Sequence, residues 1–214
     1  MRKDIIIIGA GGQAKNIVLL IEQIGGWNIL GLIDDDLKKK GQKVKGYEVL
    51  GPTKEFFENQ DDIHIVFSIG DGKIIEEKVQ WLKSLSKNFK FPNLIHPSAS
   101  LNENEVKLGE GNIVNTNVVF TTEIEIGSFN YFNRCCSISH DVFIGDYCFI
   151  HAGVHLSGES KVGNRVWFGV NSTIVQVLTV GDDAMIGAGA VILKNVEPKA
   201  VMVGNPAKLL KYLF

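Results

Sequence analysis

Ser139-His140-Asp141 sets an imidazole directly before a carboxylate. An imidazole that titrates near neutrality can take the proton an amine or hydroxyl loses as it attacks an acyl carbon. A carboxylate beside it can orient the ring and stabilise its cation. Taken alone, the pair also describes a surface turn without a role. A second constellation lies near the N-terminus, where Gly9-x-Gly11-x-x-Ala14 follows a β-branched run and opens a helical pattern. Glycines in that context let backbone approach phosphates, and the helix N-terminus favours their charge. Asp34 follows about twenty residues later, the spacing of a dinucleotide fingerprint. A glycine turn kept only for close packing is the other reading. Cys135, Cys136 and Cys148 lack metal-type spacing with any histidine, and an odd thiol count fits a reducing cytosol. His140, His151 and His155 lie close along the chain, which leaves open a zinc site shared between subunits.

Two kinds of element have to position these groups. Over the first ninety residues the chain alternates strand and helix. Strands are expected at Asp4–Ile8, Ile29–Ile33 and Ile63–Ser68, and helices at Lys15–Ile24 and Lys73–Leu85, with Gly25-Gly26 stopping the first. That order predicts a parallel sheet with right-handed crossovers. Fewer than ninety residues are little for a six-stranded dinucleotide fold.

Pro92 and Pro97 then punctuate the chain, and the period changes. From Leu108 an aliphatic residue or Phe recurs every six positions, through Val114, Phe120 and Ile126 to Ile186 and Ile192. The position two before each is mostly small or β-branched, as at Val118, Cys136, Val142 and Cys148; the position after is often Gly. This is the hexapeptide signature of a parallel β-helix. Three hexapeptides make a triangular coil, with the large aliphatic in the core and the glycine-bearing position expected to turn the corner. About five coils follow, with Ile95 and Leu101 beginning another before a one-residue slip. His140, two positions after core residue Ile138, then sits at a corner, and Cys136 and Cys148 fall in the core. The fold class expected is an α/β Rossmann-like domain over 1–90, a left-handed parallel β-helix over 91–203, and a tail over 204–214.

Composition narrows the function. With 45% hydrophobic and 21% charged residues and a formal net charge of −2, no basic excess favours nucleic acid and no cationic run favours an anionic membrane. The apolar run Ile5–Ile8 is too short to span a bilayer or act as a signal peptide, so a cytoplasmic location is expected.

The chain resembles hexapeptide-repeat acyltransferases with an N-terminal nucleotide-binding domain, in particular bacterial UDP-4-amino-sugar N-acetyltransferases and the sialic acid O-acetyltransferase group. The resemblance rests on Ile-Gly-Ala-Gly-Gly-Gln-Ala at 8–14, Leu-Ile-Asp-Asp at 32–35, Ser-Ile-Gly-Asp at 68–71, Ile95-His96-Pro97-Ser98-Ala99, Ser139-His140-Asp141 and Val203-Gly204-Asn205-Pro206-Ala207-Lys208. It implies an acetyl-CoA-dependent sugar N-acetyltransferase that works through a ternary complex, without metal or covalent enzyme intermediate. His140 would be the general base and Asp141 its partner. Gly11, Gly12, Gln13, Asp34, Asp35 and Gly70 would hold the nucleotide of the sugar, although relatives often carry His where Gln13 stands. The acyl-CoA would run between two β-helices of a homotrimer, along Gly169, Val170 and Ala188, with Lys208 meeting a phosphate. Relatives place a second histidine nine residues after the base, on the acyl carbonyl; that position here is Phe149, leaving His151 or His155 as substitutes. The acceptor implied is the 4-amino group of a UDP-linked deoxy sugar. The alternatives are O-acetylation of a sialic-acid-like sugar and, outside the class, an NAD-binding or nucleotide-sensing protein.

Overall fold

The computed structural model describes residues 2–58 and 60–214. The chain divides into two compact units, one ending at Leu94 and the other beginning at Ile95.

The first unit is a four-stranded parallel sheet. In chain order its elements are β1 (Lys3–Ile8), α1 (Ala14–Ile24), β2 (Trp27–Ile33), a hairpin of β3 (Lys43–Val44) and β4 (Tyr47–Glu48), α2 (Thr53–Glu58), β5 (Asp62–Phe67), α3 (Gly72–Ser84) and β6 (Asn88–Lys90). The sheet order is β2-β1-β5-β6. The central strand β1 carries Ile5 to Ile8, all fully buried, which is why that run shows no alternation. The face of α1 that carries Ala14, Ile17, Val18 and Ile21 is buried, and the helix stops at Gly25, whose φ of +72° lies in the left-handed region. Asp71 caps α3, its carboxylate accepting from the amides of Lys73 and Ile74.

The second unit is built mostly of two-residue strands stacked in three sheets, parallel except where the C-terminal strand Lys208–Tyr212 pairs antiparallel with Ala200–Val203, the arrangement of a left-handed β-helix. Each strand pairs with the one a full coil later, as in Phe120↔Ile138, Ile138↔Leu156 and Leu156↔Ile174. The six-residue series lines the interior, where Val114, Phe132, Ile138, Ile150, Phe168 and Ile186 are fully buried. Ile95 packs against this core as the start of an earlier coil, and the one-residue slip is visible in the hydrogen bonds. His96 N–H reaches Val114 O, whereas the regular pattern has Asn115 N–H reaching Phe132 O. The extra residue is taken up in the turn at Asn102, whose carbonyl accepts from Glu105 and Val106.

The corners differ from the sequence expectation. The residue in left-handed backbone is the third after each core apolar, not the first: Asn117, Glu123, Cys135, Asp141, Tyr147, Glu159, Arg165 and Asn171 all have φ between +54° and +61°. The glycines directly after the core residues serve clearance between coils instead. A Cβ on Gly127 would lie 2.8 Å from the Gly145 carbonyl oxygen, and one on Gly169 only 2.4 Å from the Ala188 nitrogen. Two buried asparagines interrupt the small-residue series, and both are satisfied. Asn130 Nδ2 donates to Asn112 Oδ1 at 3.1 Å and to Gly145 O at 2.9 Å, and Asn112 Nδ2 donates to Gly127 O at 2.9 Å. Cys136 and Cys148 lie in the core, where burial raises their thiols to about 11 and about 12.

Candidate functional site

Within the β-helix, the turn after Ser137–Ile138 carries His140 and Asp141 on its outside. Asp141 is fixed by its left-handed φ of +57° and by its amide, which donates to Thr122 O in the preceding coil at 3.2 Å. From there its Oδ2 lies 2.7 Å from Nδ1 of His140. The two side chains are 55% and 47% exposed, so the ring is held yet open to a ligand. With Nδ1 engaged by the carboxylate, Nε2 is the nitrogen free to exchange a proton. The ring leans over Gly158, one coil later and buried. Two open grooves meet at Asp141. One, of about 560 Å³, is lined by Glu105, Lys107, Glu125 and Phe143 among others; the second, of about 530 Å³, by Glu159, Lys161, Val177 and Thr179.

The residues assigned to acyl-CoA lie elsewhere on the same prism. His151, Gly169, Val170 and Ala188 all belong to the turns that follow Phe149–Ile150, Trp167–Phe168 and Met185–Ile186, one corner away from His140. Val170 and Ala188 are exposed and stacked one coil apart, and the Val170 carbonyl accepts from Gly189 N–H at 2.8 Å. His151 is half-buried with its ring 4.7 Å from that of Trp167, and burial lowers its pKa. Phe149 is buried and stacks on Tyr131 at 5.9 Å. His155 stands exposed on the strand that pairs with Ser137–Ile138. Lys208 is exposed at the start of the C-terminal strand Lys208–Tyr212. Among the described residues no group of three or more His, Cys, Asp or Glu could hold a metal ion.

In the α/β unit the glycine turn, Asp34, Asp35 and Gly70 converge at the carboxyl end of the sheet, where open α/β folds bind ligands. Gly9 has a φ of +103°, and a Cβ there would lie 2.9 Å from Ser68 Oγ; that hydroxyl donates to Gly9 O, so strand end and turn are joined. Gly11 and Gly12 border open space. No side-chain hydrogen bond caps α1, whose N-cap residue is Gln13. Asp34 is not a free carboxylate. It accepts from Ala10 N–H and Lys39 Nζ, each at 2.8 Å, and from Asp36 N–H at 3.0 Å, so it ties the glycine turn to the end of β2. Burial works to raise its pKa, but the Lys39 and amide hydrogen bonds outweigh that and lower it. Asp35 accepts from Lys78 Nζ at 2.6 Å and Thr53 N–H at 2.8 Å. Partial burial opposes its charge, yet these partners bring it down to about 2. Beside Asp35 a groove of about 400 Å³ is lined by Pro52, Thr53, Lys54, Lys78 and Trp81.

Lys39, Lys78 and Gly158 were not singled out from sequence, and Ser68 was read only as the end of a strand and part of the Ser-Ile-Gly-Asp motif. For Gly158 the available signal was its distance of one full coil from His140; the partners of the aspartates carry no spacing that marks them.

Residues 4–82 match the PglD N-terminal domain family. Over nearly its whole length the chain superposes on the acetyltransferase domain of PglB from Neisseria gonorrhoeae, solved with acetyl coenzyme A, with a TM-score of 0.88, 27% identity and coverage of 98% of this chain and 100% of that one. It also superposes on a histidine-to-asparagine mutant of perosamine N-acetyltransferase from Caulobacter crescentus, solved with CoA and GDP-perosamine, with a TM-score of 0.87, 26% identity and 97% of each chain covered. A putative acetyltransferase of Staphylococcus aureus is 30% identical over 108 residues, half of this chain and 54% of that protein. The chain spans between about a quarter and about half the length of the curated relatives it matches.

Proposed function

We propose that this chain, a PglD-type N-terminal domain followed by a hexapeptide acetyltransferase helix, transfers the acetyl group of acetyl-CoA to the amine of a nucleotide-linked amino sugar. The observation that carries the reading is the His140–Asp141 pair, held at 2.7 Å with its ring 55% exposed and its carboxylate residue lining two grooves. The acceptor amine attacks the thioester carbonyl. A nitrogen–carbon bond forms, the carbon–sulfur bond breaks, and the proton of the amine passes to His140 Nε2 while Asp141 supports the cation at Nδ1. CoA leaves as a thiolate that takes up a proton. The full-length likeness to enzymes solved with acetyl-CoA or with CoA and GDP-perosamine supports the donor and a nucleotide-sugar acceptor.

Within this reading Gly11, Gly12, Gln13 and Gly70 face the diphosphate and nucleoside, with Asp34 holding the turn in shape and Asp35 bordering the base side. Val170 and Ala188 flank the pantetheine, and Lys208 meets a phosphate. Base and donor residues stand on different corners of one prism. One donor therefore meets both where a second copy brings its corner alongside, which favours a closed trimer with sites between subunits. The dinucleotide alternative is disfavoured on two counts: the sheet has four strands, and the acid that would bind a ribose is engaged by Ala10 and Lys39.

The test is release of free thiol from acetyl-CoA against a panel of UDP-, GDP- and dTDP-linked 4-amino-4-deoxy sugars, free sialic acid and NADH. Turnover with a nucleotide-linked amino sugar is the expected result, with the UDP sugar the first candidate. Turnover with sialic acid alone would transfer the activity to oxygen, and tight NADH binding without thiol release would end the acyltransfer reading.

A further inference from the structure

Gly158 lies where the imidazole of His140 comes to rest. A Cβ placed on Gly158 would sit 2.6 Å from Cε1, 2.7 Å from Nε2 and 3.1 Å from Nδ1 of that ring. Carbon contacts are comfortable at roughly 3.5–4.0 Å, so any side chain here would displace the ring by about 1 Å. Backbone conformation does not require the glycine, because Gly158 is absent from the positions with positive φ. Coil spacing does not explain it either. At Gly127, Gly145 and Gly169 an added Cβ would meet the backbone of the next coil, whereas at Gly158 the three nearest atoms are all ring atoms of His140.

The partner of the ring cannot follow it. Asp141 is held by its left-handed backbone and its bond to Thr122, and the carbonyl of His140 is held by Glu159 N–H at 3.0 Å. A ring pushed off Gly158 thus leaves the 2.7 Å contact with Asp141 and turns Nε2 away from its present heading.

We propose that Gly158 is a positioning residue for acetyl transfer: its missing side chain is the seat that lets His140 keep its bond to Asp141 while presenting Nε2 to the acceptor. The assignment rests on His140 being the base, and its test separates the two claims. Gly158→Ala, His140→Ala and the double variant are assayed with acetyl-CoA and a UDP-linked 4-amino-4-deoxy sugar, alongside melting temperature and the hydrogen-bonded Nδ1 proton resonance of His140.

Gly158→Ala is expected to lower kcat at least tenfold, with KM for acetyl-CoA and melting temperature near wild type, and to shift or lose the Nδ1 resonance, as Asp141→Asn should. In the His140→Ala background the same methyl should cost nothing further, because the group it disturbs has gone. The proposal is overturned if Gly158→Ala turns over normally with its resonance in place, or if the methyl lowers the residual rate of His140→Ala by the same factor, which would mean it blocks a ligand. Undiminished turnover in His140→Ala would overturn the base assignment alone; the resonance then decides whether position 158 seats the ring.

Discussion

Val170 and His140 project from neighbouring corners of one triangular prism: His140 follows the strand Ser137–Ile138, and Val170 follows Trp167–Phe168. A site using both residues of the same chain would have to wrap a face of the helix. A site between two chains would not. The expected assembly is a trimer by light scattering, with the acyl donor between subunits. Mixing inactive His140→Ala chains with inactive Val170→Arg chains and reassembling them should restore part of the activity, because some interfaces then pair an intact base with an intact donor corner. A stable, active monomer would refute the arrangement.

The thiols differ sharply in environment. Cys135 is exposed in left-handed corner backbone, whereas Cys136 and Cys148 are buried with pKa values raised to about 11 and about 12. Thiolate is the reactive form, so a disulfide reagent at neutral pH should modify one thiol in the folded protein and three after denaturation. Rapid native labelling of two or more would contradict the core assignment.

Clearance between coils predicts a stability effect at Gly127. A methyl there would lie 2.2 Å from Asp146 Oδ1 and 2.8 Å from the Gly145 carbonyl oxygen. Asp146 Oδ1 also accepts from Ser128 N–H, so the clash falls on a hydrogen-bonded corner. Gly127→Ala should cost about 1–3 kcal/mol, read from chemical denaturation. No loss would mean that the coils yield more easily than their spacing indicates.

Acid should loosen the α/β unit through Asp35. Its folded pKa of about 2 lies below the ordinary 3.8, so the ionised carboxylate contributes stability above the ordinary value, lost as pH falls toward the folded one. At 56% exposure, solvent screening limits that contribution to about 1 kcal/mol or less. Between pH ~4 and ~2 the wild type should lose more stability than Lys78→Met, which lacks the partner already. Equal losses would remove Asp35 as a source of the pH dependence.

The architecture was legible because both periods are imposed by burial: an apolar run where β1 is covered on both faces, and a six-residue repeat where each rung of the prism sends one large apolar side chain inward beside a smaller one. The hairpin of β3 and β4, the short helix α2 and the edge strand β6 were not, since isolated strands of two or three residues and a helix of six are too brief to display a period. The role of the glycines was misread for a related reason. Glycine suggests left-handed backbone, but here Asp141, Glu159 and even Phe129 supply it, and Gly127 and Gly169 answer to contacts eighteen residues away that a linear pattern does not display. The motif at Gly9–Ala14 located its turn, yet the engagement of Asp34 by Ala10 and Lys39 depends on how the chain folds back.

The most direct measurement is the turnover of His140→Ala with acetyl-CoA and a nucleotide-linked 4-amino sugar. A positioned base contributes about 10²–10⁴ in rate, and the loss should appear in kcat with little change in ligand affinity. Asp141→Asn should lose less, and His151→Ala and His155→Ala should stay near wild type. Near-normal turnover by His140→Ala, with abolition by either of the other two histidine variants, would contradict the account.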